Sequence, residues 1–205
     1  MADIVFYTNP QSRGRMVRRM LEECGVDYRT ELVAYGEAMK SEAYRRVNPM
    51  GKVPALVYDG RVVTEAPAII AFLADACPGA NLAPPPAQRQ DYYRWFFFMA
   101  GPMEAAITNK ALGVTIPPEK TGFVGYGSFD TAVATLIDAV GRAEYLTGDR
   151  FTAVDVYAGS HIEYGLRFGM LPEDATLRAY VERLAGRPAW QRAAELDNAL
   201  LAAAT

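Results

Sequence analysis

The stretch "NPMGKVPALVYDG", Asn48 to Gly60, places a proline at the head of an apolar run. Pro54 has no backbone N–H, so a strand accepts it only at its first residue, at an edge or at a bulge. It precedes Ala55-Leu56-Val57-Tyr58, which reads as a strand, and Asp59-Gly60 follows, the commonest type I′ hairpin signal. Arg61 to Thr64 reads as the returning strand. The stretch is therefore a hairpin whose first strand opens on proline. A cis Val53–Pro54 bond would turn the backbone of Val53 outward, toward a ligand. Local sequence alone favours trans, since roughly 5% of X–Pro bonds in folded proteins are cis.

Working outward, Asp3 to Thr8 reads as a first strand, broken by Asn9-Pro10-Gln11. Ser12 can then cap a helix with apolar residues at Met16, Val17, Met20 and Leu21. Cys24-Gly25 closes it, with glycine at the left-handed position after the last turn. Asp27 to Val33 reads as a second strand, Glu37 to Val47 as a weaker, mostly polar helix, and Ala68 to Ala76 as a small-residue helix. The order β-α-β-α-β-β-α predicts a mixed sheet, its first two strands parallel and the hairpin antiparallel on the other side, covered by helices. "PGANLAPPPAQ", Pro78 to Gln88, is a stiff, proline-rich linker.

Every strong signal after it is helical: Gln88 to Leu112, bent near Gly101-Pro102, then Phe129 to Tyr145, Ala175 to Ala185 and Pro188 to Ala203. Thr152-x-x-Asp155 is a capping box, with Asp in place of Glu, opening a helix to about Phe168. Residues 113–128 are loop-like. The expected domains are 1–77, the linker 78–88, and an all-helical part over 89–205.

The chain's 205 residues are 51% hydrophobic and 22% charged, enough apolar material for a sizeable core. A net charge of −3 gives no reason to expect nucleic acid or an anionic membrane as partner. The two cysteines, Cys24 and Cys77, have neither C-x-x-C nor metal spacing, which fits a reducing cytoplasm. No signal peptide or spanning segment is evident, and "WFFFMAGPM" is too short to cross a bilayer. His161, the sole histidine, has no companion ligands and reads as packed or surface-paired, so no metal is expected. "GFVGYG" (Gly122 to Gly127) is no dinucleotide loop, because no strand precedes it. Arg13, Arg15, Arg18 and Arg19 make the first helix basic, and Glu22 and Glu23, four residues after the latter two, suggest local pairing.

The run Asn48 to Leu56, Glu65-Ala66, the capping box in "GDRFTAVDVY" and the division into two halves together resemble the soluble glutathione transferase family. "FYTNPQSRGRMVRRMLEECG" resembles its serine-type bacterial branch. The resemblance spans nearly the whole chain. It implies an α/β thioredoxin-like half followed by an all-α helical bundle, a cis Pro54, and a Val53 backbone that pairs with glutathione like an added strand. It also implies a cytoplasmic homodimer that takes glutathione as co-substrate, with no metal, and a small hydrophobic electrophile.

The chemistry needs a thiolate, and a thiol of pKa about 8.5 is only a few per cent ionised at pH 7. Lowering it to about 6.5 would make roughly three-quarters thiolate. One hydrogen bond to a charged acceptor, worth about 1.5–3 kcal/mol, supplies much of that. Ser12 is the first candidate donor, with amides at the helix start converging on the anion, although a serine there also serves as a plain cap. Tyr7 is a second candidate, with a packed strand aromatic as its alternative. Asn9 is a third, and Arg15 a supporting cation. Glu65 would bind glutathione's α-amino group and the helix-start amide of Ala66 its α-carboxylate, while Lys52 would pair with a carboxylate. Family members often have Ser after this Glu, and Ala66 lacks that hydroxyl. Met99 and Met103 are the best candidates to line the apolar site. The alternative is a non-catalytic module of the same fold that binds a protein partner or a hydrophobic ligand.

Overall fold

The computed structural model describes residues 2–203. The strands are β1 (Ile4–Thr8), β2 (Arg29–Leu32), β3 (Ala55–Tyr58) and β4 (Arg61–Thr64), in spatial order β2-β1-β3-β4. β1 runs parallel to β2 and antiparallel to β3, and β3 is antiparallel to β4. This is the mixed sheet expected. The hairpin turns at Asp59 (φ 47°) and Gly60 (φ 75°), both left-handed as a type I′ turn requires.

Side chains of β1 alternate between the faces. Phe6, fully buried, lies on the face covered by α1 (Gly14–Cys24) and α4 (Ala66–Ala76), which contribute Val17, Met20, Leu21, Ile69, Ile70 and Leu73. Tyr7 lies on the other, among Val33, Met39, Tyr44, Val47 and Val53. Where one helix was expected over 37–47, two short ones form, α2 (Glu37–Lys40) and α3 (Glu42–Arg45). Ser41 separates them, extended at ψ 151°, and its side chain accepts the N–H of Tyr44. That is the usual competition of serine with the helix backbone.

α1 starts two residues later than Ser12, with Arg13 in the cap position and Gly25 (φ 63°) as its left-handed stop. Gly14 is required by close approach: a Cβ there would lie 1.9 Å from the Thr8 hydroxyl. The basic side chains of α1 do not pair locally as expected. Arg18 Nε donates to Asp197 at 2.8 Å in a fully buried pair, and Arg19 stacks 3.8 Å over Trp190. Glu23 takes a two-pronged bond from Arg187, and Glu22 accepts the Tyr28 hydroxyl. Asp197, Trp190 and Arg187 sit on or just before α10 (Pro188–Ala202), whereas Tyr28 directly precedes β2. Contacts accordingly group the chain into two compact units, one running to Leu82 and resumed from Gly186, the other Ala83–Ala185.

The second unit is helical: α5 (Gln90–Phe98), α6 (Glu104–Ala111), α7 (Phe129–Gly141), α8 (Ala153–Arg167) and α9 (Ala175–Ala185). A π-helical turn, Met99–Met103, joins α5 to α6. Pro102 removes one amide there, so the ladder widens at the expected bend. The capping box at the start of α8 is present. Its Asp155 is fully buried and accepts from the N–H groups of Leu146 and Thr152, the Thr152 hydroxyl and, at 2.6 Å, the Tyr180 hydroxyl.

Candidate active site

Strand register brings three loops to one end of the sheet. Tyr7 faces Ala55 across β1 and β3, and Ala55 faces Thr64 across β3 and β4. One or two residues further along each strand lie Asn9, then Val53 and Pro54, then Glu65 and Ala66. The cluster expected from the sequence is therefore assembled within the first unit.

The Val53–Pro54 bond is cis, as the resemblance implied. Neither the amide nor the carbonyl of Val53 takes a hydrogen bond from another described residue. An extended ligand backbone can therefore pair with it as an added strand. The preceding residue is fixed: the carbonyl of Lys52 accepts from the Tyr44 hydroxyl (2.8 Å) and from Asn48 Nδ2 (2.7 Å). Lys40 Nζ donates to the carbonyl of Gly51 at 2.7 Å. Gly51 has φ 56°, and a Cβ there would meet the Met39 carbonyl at 2.8 Å, so only glycine makes this turn. Burial, then the neighbouring Tyr7, push the Tyr44 hydroxyl up to about 12, which keeps it a donor. Sequence reasoning missed Tyr44 and Lys40 as supports, since both come from short polar helices with no motif. The Lys52 side chain itself is exposed and can reach a carboxylate.

Glu65 has φ 66° and ψ 119°, a conformation costing a non-glycine residue about 1–3 kcal/mol. Its exposed carboxylate has no partner among the described residues. Its carbonyl accepts the Ile69 N–H, while the amides of Ala66 and Ala68 stay open and Pro67 has none. These amides and the helix dipole favour an anion at the start of α4.

The start of α1 differs. Ser12 Oγ donates to the Asn9 carbonyl (2.7 Å) and accepts the Gly14 N–H (2.9 Å). The amides of Arg15 and Met16 bond to the carbonyls of Ser12 and Arg13. The expected convergence of α1 amides on an anion is therefore largely consumed within the turn. Arg15 braces the same loop, Nε to the Pro10 carbonyl and Nη2 to Asn198, both at 2.7 Å. Asn9 ties β1 to β2 through the Val33 carbonyl (3.1 Å) and accepts the Gln11 N–H. Tyr7 packs 5.8 Å from the Tyr44 ring, and its hydroxyl has no bond to a described residue.

Met99 and Met103 have no exposed surface. A substrate would reach them only if their neighbours moved, because the π-helical turn points both into the core of the second unit. His161 is also buried, 3.7 Å from a Glu104 oxygen and edge-on to Tyr157. Among the described residues no group of three or more His, Cys, Asp or Glu side chains could hold a metal ion. No described helix is long and apolar enough to cross a membrane.

Residues 12–76 match the family model for the glutathione S-transferase N-terminal domain. The chain is 28% identical over 159 residues to glutathione S-transferase GstA of Escherichia coli O157:H7, covering 76% of this chain and 78% of that one. It is 28% identical over 192 residues to maleylacetoacetate isomerase of Pseudomonas aeruginosa, covering 86% and 88%. The theta class glutathione S-transferase of Xanthomonas axonopodis pv. citri, solved with glutathione bound, superposes with a TM-score of 0.73 at 29% identity, over 95% of this chain and 98% of that one. The glutathione transferase of Methylococcus capsulatus str. Bath gives 0.77 at 26% identity, over 95% and 98%. With the thioredoxin-like sheet, the cis Val53–Pro54 bond and the capping box of α8, these likenesses show that the chain resembles the soluble glutathione transferases in both of its units.

Proposed function

We propose that the protein is a glutathione transferase that binds reduced glutathione at this sheet end and presents its thiol, as thiolate, to a small hydrophobic electrophile. The observation that carries the reading is the free backbone of Val53 beside the open start of α4. One holds an extended peptide and the other a carboxylate, and glutathione offers both. Val53 pairs with the backbone of the cysteinyl residue. The amides of Ala66 and Ala68 hold the α-carboxylate, Glu65 the α-amino group, and Lys52 the second carboxylate. The sulfur then lies toward the loop after β1, where Ser12 donates to it, with Tyr7 and Asn9 as rival donors. Arg15 acts as a positioning residue, since its guanidinium is engaged by Pro10 and Asn198. The thiolate attacks the electrophilic carbon, the C–S bond forms, and the displaced electron pair leaves with the leaving group or takes a proton from water.

We further propose a cytoplasmic homodimer of the serine-type bacterial branch. Met50, Val62, Tyr93 and Phe97 are large apolar side chains left exposed, Phe97 at 73%, and a second copy would cover them. Calorimetric titration with reduced glutathione at neutral pH tests the binding reading. Micromolar to low-millimolar affinity near one site per chain is expected. No heat at two temperatures would refute it.

A further inference from the structure

The two cysteines, which the transferase reading leaves unused, meet at the other end of the first unit. α1 ends at Cys24, and α4 ends one residue before Cys77. Both helices start at the loops of the candidate site and have 11 residues each, so their C-terminal ends lie about 16 Å away from it. The carbonyl of Leu73 ties the two ends together. It accepts the N–H of Cys77 at 2.9 Å and the thiol of Cys24 at 3.8 Å. The two cysteines thus meet at one shared carbonyl, and the Cys24 thiol is pushed up by burial and then by Cys77. Both cysteines are free, Cys24 half-buried and Cys77 buried. The nearest charge on α1, Glu23, is engaged by Arg187.

We propose that Cys24 and Cys77 form a thiol-modification site that reacts with small-molecule disulfides and closes to an intrachain Cys24–Cys77 bond. Cys24 attacks first, being the more accessible. Its sulfur loses a proton, bonds to one sulfur of the small disulfide and expels the other as a thiolate. Cys77 then attacks the Cys24 sulfur of the mixed disulfide and expels the second small thiolate. The two protons lost by the cysteines appear on the two small thiols. Two protein thiols are oxidised and one small disulfide is reduced. The reaction is slow at neutral pH. Burial, then Cys77 itself, push the Cys24 thiol up, and a helix C-terminus disfavours a thiolate. Because the pair lies away from the candidate site, closure staples α1 to α4 without touching the glutathione residues.

The test is incubation of the whole protein with hydroxyethyl disulfide, which carries no part of glutathione, in mildly alkaline buffer. Acid quenching, alkylation and peptide mapping follow. Wild type should lose the mass of two hydrogens, yield a linked Cys24–Cys77 peptide pair and regain both thiols with dithiothreitol, while its melting temperature rises by several degrees. Cys77→Ser should stop at a mixed disulfide on Cys24, and Cys24→Ser should hardly react. Two free thiols after prolonged exposure would overturn the proposal, as would a mixed disulfide that never closes or links formed only between chains. The wild-type map decides the matter even where a variant fails to fold. The readout is independent of glutathione binding, so it fails or succeeds apart from the proposed function.

Discussion

Replacing Ser12 by alanine separates a thiolate donor from a plain turn residue, and its size follows from what the hydroxyl already does. The Ser12 proton sits on the Asn9 carbonyl at 2.7 Å. To bond a thiolate it must leave that acceptor. A hydrogen bond to a neutral carbonyl is worth about 0.5–1.5 kcal/mol and one to a charged acceptor about 1.5–3, so the exchange gains about 1–1.5 kcal/mol. That is roughly 5- to 12-fold in the ionisation constant of the bound thiol, or about 0.7–1.1 in its pKa. Ser12→Ala should therefore shift the acidic limb of the kcat/KM profile upward by that amount, lowering kcat/KM by the full factor well below the limb and by about two- to fourfold at pH 7 for a wild-type limb at about 6.5. Well above the limb the variant should catch up, because both sites then hold thiolate. The assay is kcat/KM against pH with chlorodinitrobenzene, beside a calorimetric Kd for glutathione that should hold steady. A limb that stays in place would refute the reasoning, most directly if Tyr7→Phe moves it instead. A loss of about a hundredfold would refute the exchange estimate, since that needs about 2.7 kcal/mol.

Gly14→Ala should destabilise the fold by about 3 kcal/mol, although alanine is the better helix former, because its Cβ would sit 1.9 Å from the fully buried Thr8 hydroxyl. Chemical denaturation would show it, and adding Thr8→Ala should recover part of the loss. Tyr180→Phe removes one of four donors to the buried Asp155 and should cost about 1.5–3 kcal/mol, read as a lower melting temperature with the secondary structure retained. In alkali, buried Tyr44, pushed up to about 12, keeps its proton beyond the unfolded value of about 10. The folded state thus binds more protons than the unfolded one in that window, so stability should hold below about pH 10 and fall from there toward about 12. Tyr44→Phe should flatten this decline in urea midpoints measured across the range.

Much of the fold was legible because its signals are local. Asp59-Gly60 needs two left-handed residues, Gly25 one, and Thr152-x-x-Asp155 satisfies its own backbone, so each motif names its structure. Ser41 was missed because a lone serine in a polar segment competes with the helix only when the next turn offers it the Tyr44 amide. The common position of Val53 and Glu65 at one end of the sheet was legible from a motif and a hairpin, because strand register fixes where the ends of neighbouring strands fall. Ser12 was expected as a thiolate donor or a plain cap; Arg13 takes the cap position instead and the Ser12 hydroxyl bonds within the turn, since one residue of loop decides where it points. The burial of Met99 and Met103 could not be read from a spacing of four, because the two bound a π-helical turn, whose wider repeat departs from the α-helical one.

The arginines of α1 carry the same lesson further. Spacing of four suggested pairs with Glu22 and Glu23, yet Arg18 reaches Asp197, a partner 179 residues away. The desolvation cost of burying a guanidinium is offset only by a well-aligned carboxylate, and α10 supplies one. Arg15 lies one turn before Arg18, and it joins the Pro10 carbonyl to Asn198 on that same helix. The loop that carries Ser12 is thereby held on one side by β1 and on the other by the last helix of the chain. The position of the Ser12 hydroxyl is set by contacts nearly the whole sequence apart, which is why the residue types near the start of the chain do not fix where it points.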